Sequence, residues 1–381
     1  YKLVLYALIA IIIMALIFSG LGLINFPIST LGFSLLIILI TCGVTNYILS
    51  YFFKAIVNIE SWLITGLILF LILYPATSGE EFIFLVLTSF LAMASKFFLA
   101  YHRKHIFNPA AIAAVISGIS GMGGAGWWVA TPLLLPVTLI TGLLIVRKIR
   151  RFSLFFAFCV SAFISILLVG QTYGADISDL VKEIFLSWPL IFFGTIMLTE
   201  ALTTPPTKYL QVIYGIITGL LFGSQFSFGP IYSTPEMALV LGNIFSFAVS
   251  PKQKLFLELV SSQPLANSVW EFCFKPNPLP RFKSGQYMEW TLPMQKSDSR
   301  GNRRYFTIAS SPTESDFKLG IKTFPNGSAF KDKLLNLKCG DTIMAGQLAG
   351  DFILPNDVSK KLVFIAGGIG VTPFRSMIKY I

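Results

Sequence analysis

Charge is what this chain has least of. Only 12% of its 381 residues are Asp, Glu, Lys or Arg, against about 25% in an ordinary soluble domain. Apolar residues make up 55% and mean hydropathy is +0.74. A wholly soluble globular protein is thereby excluded, and a membrane protein with a soluble appendage is expected. Acidic residues are scarcer than basic ones, 18 against 29, so the net charge is +11. That excess is no nucleic-acid footprint. The basic residues are spread through the polar part or sit at loops between apolar runs, where the positive-inside rule accounts for them. Cysteine is rare: Cys42, Cys159, Cys273 and Cys339 are scattered. No spacing makes a metal knuckle, nothing calls for a disulfide framework, and no metal site is expected. The histidines are two, His102 and His105. The first apolar run lacks a small-residue cleavage site and reads as an anchor rather than a signal peptide.

Long apolar runs are abundant. A span needs roughly 20 apolar residues, and about ten candidates occur. They lie near 3–24, 32–53, 60–75, 82–101, 105–120, 128–146, 153–170, 184–199, 209–228 and 235–250. The runs at 60–75, 105–120, 184–199 and 235–250 are short, so tilted, re-entrant or buried segments are expected among them. With ten spans, Lys54, Lys96, Arg103, Lys104, Arg147, Lys148, Arg150, Arg151, Lys208, Lys252 and Lys254 share one side. Glu80, Glu81, Asp176, Asp179, Glu183 and Glu236 share the other, with Lys182 the exception. Basic loops stay inside, which places both termini in the cytoplasm. The 36 phenylalanines follow from membrane burial and need no cofactor.

The last third reads differently. In Arg303-Arg304-Tyr305-Phe306-Thr307-Ile308-Ala309-Ser310-Ser311-Pro312 a basic pair precedes a strand-period alternation, then a small-residue turn closed by proline. Arginine's planar fork suits a pyrophosphate, an aromatic ring can cover a flat heterocycle, and Thr307 can hydrogen-bond a ring nitrogen. The stretch reads equally as an ordinary barrel strand with an exposed basic end. Further on, the apolar run Leu362–Ile365 reads as a buried parallel strand. Gly367, Gly368 and Gly370 then allow a tight turn. Pro373 suits a first helical position, and the helix start faces a phosphate.

Several stretches in order carry a resemblance. They are Arg281 to Trp290, Arg303 to Pro312, Ile321 to Phe330 (with Pro325, Asn326, Gly327 and Ser328), Cys339-Gly340-Asp341, Gly350 to Pro355 and Leu362 to Pro373. Together they resemble the ferredoxin–NADP reductase family over roughly 253–381. The resemblance implies an FAD-binding antiparallel barrel followed by a nicotinamide-nucleotide domain. Arg304 would hold the FAD pyrophosphate, Phe306 would lie on the isoalloxazine and Thr307 would contact its N5 edge. Gly327 and Ser328 would offer backbone N–H groups to the phosphates, and Tyr305 and Lys322 would belong to the same cofactor set. Gly367, Gly368, Gly370, Thr372 and Pro373 would take NAD(P)H. Where many relatives have serine or threonine this chain has Phe330, which removes one phosphate contact.

The apolar part has signals too: Ser61 to Leu67, His105-Ile106-Phe107-Asn108-Pro109-Ala110-Ala111, and Met197 to Pro205. These look like the membrane subunit shared by the Rnf complex and the sodium-pumping NADH:quinone reductase (RnfD/NqrB), over roughly 35–230. That resemblance implies redox-driven ion transport and a membrane flavin, FMN or riboflavin. Thr131, in Trp127 to Leu133, is the nearest match to the covalent FMN threonine, but the acidic and serine-glycine residues around it are missing; the plain reading is a helix N-cap. Glu200 reads as an ion or flavin site or as an interfacial carboxylate capping the Thr-Thr-Pro-Pro turn. Asn108 could coordinate a ligand or satisfy backbone freed by Pro109. His102 and His105, three apart, cannot supply the four ligands of a two-haem ferric reductase or NADPH oxidase, and read as headgroup-facing or as part of a polar cluster. Cys42 and Cys159 read as packing residues.

The expected fold is therefore multidomain. A polytopic α-helical membrane bundle of 1–250 precedes an antiparallel Greek-key β-barrel of 251–357 and the start of a truncated α/β nicotinamide domain, 358–381, since one βαβ unit takes about 30 residues. The expected activity is a membrane flavoprotein oxidoreductase passing electrons from NAD(P)H through FAD to a quinone, a second flavin or a partner protein. The alternative is an ion-translocating module with the reductase as electron input. The partners are NAD(P)H, the lipid bilayer and the acceptor, with no nucleic acid. The expected location is the cell inner membrane, with the FAD domain cytoplasmic.

Overall fold

Apolar residues without interior proline satisfy their backbone most cheaply as helices where water is scarce, and the first 250 residues do so. The computed structural model describes residues 1–54, 59–101, 104–250, 255–277, 280–294, 298, 301–324, 327–355, 357 and 361–381. His102, Arg103, Lys252, Lys254, Pro325 and Asn326 lie outside the described residues. The chain divides into two units, Tyr1–Ser250 and Pro251–Ile381.

The first unit holds α1 (Lys2–Gly20), α2 (Ile28–Phe52), α3 (Ile59–Ile72), α4 (Gly79–Phe98), α5 (Pro109–Ile119), α6 (Leu135–Ile149) and α7 (Phe152–Thr172). It continues with α8 (Ile177–Leu186), α9 (Leu190–Phe192), α10 (Lys208–Gly223) and α11 (Pro235–Val249). Two short hairpins join Ala100–Tyr101 (β1) to Lys104–His105 (β2), and Ser227–Phe228 (β3) to Ile231–Tyr232 (β4). From Thr65 to Ile72 every residue of α3 is buried, so this helix lies inside the bundle. By contrast α1 and α2 leave Ile13, Ile17, Phe33, Leu36 and Ile40 exposed, an apolar outer face of the kind a membrane or a partner covers. α7 and α10 approach closely because Gly215, Gly219 and Gly223 stand four apart. An added Cβ at Gly219 would meet the Phe158 carbonyl oxygen at 2.6 Å, and one at Gly223 the Ile166 amide at 2.6 Å.

Ten spans were expected, and every one of the ten apolar runs holds a helix. Among the described residues, α1, α2, α4 and α7 are the helices long and apolar enough to cross a membrane. α8 and the segment Leu190–Met197 together are apolar enough for one further span or a re-entrant loop, with a bend of 54° between them. α3, α5, α10 and α11 are shorter apolar helices. Caps and prolines shorten them: Asn108 and Pro109 start α5, and Thr234 and Pro235 start α11. The run at 128–146 becomes helical only at Leu135. Trp127 has φ 49°, and the Thr131 carbonyl accepts from Leu134 and Leu135 in a turn before the helix.

In the second unit the strands are β5 (Leu255–Ala266), β6 (Val269–Asn277), β7 (Tyr287–Thr291), β8 (Arg303–Thr307), β9 (Phe317–Lys322) and β10 (Thr342–Ala349). All pair antiparallel in the order β8-β7-β10-β5-β6-β9. The edges curl toward each other: just past β8 the Ala309 N–H donates to the Lys318 carbonyl on β9, 2.8 Å. Strand alternation fills the inside. Phe317, Leu319 and Ile321 are buried while Lys318, Gly320 and Lys322 are less so. α12 (Ala329–Leu335) adds Phe330 and Leu334 to the same core.

A buried parallel strand was expected at Leu362–Ile365. The structure corrects this. The segment forms no ladder, with Val363 85% and Ile365 87% exposed. A parallel strand needs a neighbour for its N–H and C=O groups, and the described residues supply none. A 3-10 turn over Gly368–Val371 leads into α13 (Thr372–Tyr380), with Pro373 in its first turn.

Candidate functional site

The edge strand β8 and the start of α12 meet. Arg304 and Phe306 pair across the ladder with Trp290 and Met288, so they share the inward face of the sheet. The Arg304 guanidinium lies 5.3 Å from the centre of the Phe330 ring, and the Phe306 and Phe330 rings are 5.8 Å apart. Phe330 is the second residue of α12, whose N-cap Ser328 accepts from the Lys331 N–H. Strand and helix start therefore converge on one aromatic ring, which is 1% exposed. Arg304 is already paired: its Nη2 donates to both oxygens of Asp298 at 2.9 Å, and its Nη1 to the Gly301 carbonyl at 2.9 Å. Lys331 also donates to the Lys322 carbonyl, and both ammonium groups lie near the Phe324 ring, at 5.4 and 5.6 Å. Lys322 thus joins the α12 group.

Tyr305 and Thr307 fall on the other face. The Tyr305 ring is half exposed and stands edge-on to Tyr287, 5.7 Å away. Its hydroxyl donates to Glu289 at 2.9 Å, and Glu289 also accepts from Arg303 at 3.0 Å.

The glycine turn is open. Nothing lies within 4 Å of a Cβ added at Gly367, Gly368 or Gly370, and Gly368 has φ +54°, a conformation that favours glycine. The Gly370 N–H donates to the Gly367 carbonyl, and Thr372 Oγ1 to the Ile369 carbonyl at 3.2 Å. At Gly320 an added Cβ would stand 3.0 Å from Thr372 Cγ2, so the bare backbone of β9 admits the turn.

Sequence reasoning missed what fastens α13. Arg375 Nη1 donates to the Ala309 carbonyl at 2.7 Å and to Glu314 Oε2 at 2.9 Å, while Nη2 donates to Glu314 Oε1 at 3.1 Å. Ser376 Oγ donates to the Ser310 carbonyl at 2.6 Å. The Arg375 guanidinium holds the Glu314 carboxyl down at about 2, and Glu314 in turn raises Arg375. Small residues in Ile308 to Pro312 were the available signal: they leave carbonyls that a helix can reach.

In the helical unit the structure brings Glu200 and Asn108 together. Glu200 Oε1 lies 3.0 Å from His105 Nε2. Oε2 accepts from Asn108 Nδ2 at 3.0 Å and from Thr203 Oγ1 at 3.3 Å. The Asn108 side-chain oxygen caps α5 by accepting from Ala110 and Ala111, and its backbone N–H donates to Asn243. Asn243 Nδ2 donates to the Tyr214 hydroxyl at 2.9 Å. Thr131 stands apart from this network, its hydroxyl buried without a partner among the described residues; it is no helix cap, since the residue before α6 is Leu134. All four cysteines are free.

No protein-family model matches the chain. A flavohemoprotein of Candida albicans is 34% identical over 104 residues, 27% of this chain and 25% of that protein. A glycine betaine monooxygenase reductase subunit of Chromohalobacter salexigens is 31% identical over 112 residues, 29% of this chain and 30% of that protein. The chain thus spans a quarter to a third of the length of these relatives. A solved ferredoxin-NADP+ reductase from Plasmodium falciparum superimposes with a TM-score of 0.29 and 25% identity, over 34% of this chain and 53% of that one. The sequence similarities support a flavohemoprotein-like, reductase-type domain in this chain.

Proposed function

We propose that the chain is an NAD(P)H-dependent flavin oxidoreductase of the ferredoxin-reductase type, carried on a membrane by its helical unit. The convergence of Arg304, Phe306 and the first turn of α12 on Phe330 carries this reading. A cationic fork, a flat ring and a helix start are the groups that a diphosphate joined to a planar heterocycle requires. The donor set fits FAD, with Arg304 exchanging the Asp298 carboxylate for phosphate oxygens. Thr307 would meet the heterocycle's edge, and Gly327 and Ser328 the phosphates. Tyr305 and Lys322 complete the set. The open turn at Gly367, Gly368 and Gly370, with Thr372 and Pro373, would receive NAD(P)H. Bound FAD would accept hydride from the nicotinamide and pass electrons on singly. The relatives' similarity supports the same reading, and one of them is named as a reductase subunit that serves an oxygenase.

In this proposal 1–250 is an RnfD/NqrB-like membrane domain, 251–357 the FAD domain and 358–381 the start of the nucleotide domain. The FAD domain and both termini face the cytoplasm. The acceptor is a quinone, a flavin in the spans (FMN or riboflavin) or a redox partner protein. A second reading, a redox-coupled cation-translocating module, is favoured by the contacts of the half-buried Glu200 with His105 and Asn108.

The visible spectrum of the purified chain, with flavin extraction, tests the first reading. One releasable FAD per chain is expected, and Arg304→Ala should weaken FAD binding ~10–100-fold, the worth of a charged hydrogen bond. A chain that stays colourless with FAD supplied refutes it.

A further inference from the structure

We infer that Asp298 is an affinity-determining residue of the Arg304 site: its carboxylate stands where a phosphate must go, so a phosphorylated flavin binds only by displacing it. The inference rests on the reading that Arg304 holds the FAD diphosphate.

Arg304 is fully engaged at the outer end of its fork. Nη2 donates to both oxygens of Asp298 at 2.9 Å. Nη1 donates to the Gly301 carbonyl at 2.9 Å and to the Arg303 carbonyl at 2.7 Å. Each terminal nitrogen of a guanidinium carries two N–H groups, so these four acceptors use all of them. The acceptors differ in kind. Gly301 and Arg303 offer neutral backbone oxygens, and Arg303 is itself fixed in β8. Asp298 brings the one negative charge, on a side chain that can turn away without unmaking the strand.

The chain builds this contact. The Gly301 N–H donates to the Asp298 carbonyl at 3.0 Å, and Gly301 has φ +72°, a conformation that favours glycine. That turn returns the Asp298 carboxylate to Arg304, six residues on. Only 14% of the arginine and 24% of the aspartate side chain are exposed, so solvent and salt screen the pair less than a surface pair. On another side of the guanidinium the Phe330 ring lies 5.3 Å away and offers a phosphate no N–H or O–H donor. A phosphate arriving with Asp298 in place would set two anions on one cation, so the carboxylate has to leave.

The exchange affects only ligands that carry phosphate. Removing the charge should tighten FAD and leave riboflavin, which has no phosphate, unchanged. It should also weaken the flavin-free protein, because Arg304 loses a charged acceptor. Opposite effects on the free protein and on FAD affinity are the signature of competition; a merely structural contact would weaken both.

The test uses the purified full chain in detergent, freed of flavin and titrated with FAD or riboflavin while flavin fluorescence is read. Thermal unfolding of the flavin-free protein is recorded alongside. Asp298→Asn should bind FAD at least ~10-fold more tightly, keep riboflavin affinity within about twofold of the parent, and unfold at a lower temperature. Asp298→Glu keeps the charge and should stay within about threefold of the parent for FAD. In an Arg304→Ala background, adding Asp298→Asn should no longer tighten FAD. If Asp298→Asn does not fold, Asp298→Ala takes its place. FAD affinity that is unchanged or weaker without the carboxylate, or a riboflavin gain equal to the FAD gain, overturns this inference; the reductase reading survives where Arg304→Ala still weakens FAD. FAD binding that Arg304→Ala leaves unchanged, or no FAD binding at all, overturns both.

Discussion

Removing the Arg375 guanidinium should release α13 from the barrel. Three hydrogen bonds are lost, one to the Ala309 carbonyl and two to Glu314. A sheltered hydrogen bond to a charged group contributes about 1.5–3 kcal/mol, whereas an exposed ion pair contributes about 0–1 kcal/mol. Here 29% of the arginine and 25% of the glutamate side chain are exposed. The pair lies between the two regimes, and Arg375→Ala should cost ~2–3 kcal/mol of docking. Hydrogen exchange of the α13 amides should then quicken ~30–150-fold, with β5 and β6 unchanged. A double-mutant cycle with Glu314→Ala should return a coupling of about 2 kcal/mol. Acid supplies an independent check. The folded-state carboxyl titrates at about 2, below its ordinary 4.5. A lowered acid contributes stability above the ordinary value and loses it as pH falls through the folded one. Protection of α13 should therefore decline between pH 4.5 and 2 in the parent chain and change little there in Arg375→Ala. If the α13 amides of Arg375→Ala exchange within threefold of the parent at neutral pH, the docking argument is wrong.

Three other outcomes are expected. Phe330→Ala removes a ring that is 1% exposed and should cost about 3–5 kcal/mol by denaturant titration; a loss under 1 kcal/mol would contradict its place in the core. Gly219→Ala puts a methyl group against the Phe158 carbonyl and should cost ~1–3 kcal/mol, seen as a lower unfolding temperature in detergent, while Gly32→Ala, with nothing within 4 Å of the added Cβ, should not lower it. Glu200→Ala strands the Asn108 amide and His105 and should lower stability by ~1–3 kcal/mol; Glu200→Gln should recover part of it, and equal stability of Ala and parent would show the cluster to be energetically idle.

Each apolar run of the first unit could be read as a helix because apolarity is a local property, averaged over some 20 residues. Its length as a span could not be read so well. Proline and capping residues at Asn108, Pro109, Thr234 and Pro235 decide where the helix stops, and a hydropathy window blurs them. The strand-period alternation in Arg303 to Thr307 made β8 legible as a strand. The same logic failed at Leu362–Ile365, where four apolar residues find no strand to pair with among the described residues.

Composition and local pattern by themselves determined an apolar helical unit followed by a more polar part with a strand-period stretch, since burial, period and turn chemistry act between near neighbours; the antiparallel barrel was implied only by the resemblance to the ferredoxin–NADP reductase family. Only the tertiary structure decided that Trp127 meets Glu236 across 109 residues, His105 meets Glu200 across 95, and Arg375 meets Glu314 across 61. Such pairs depend on how whole helices and strands cross, and a buried polar group takes the partner that the packing brings within about 3 Å.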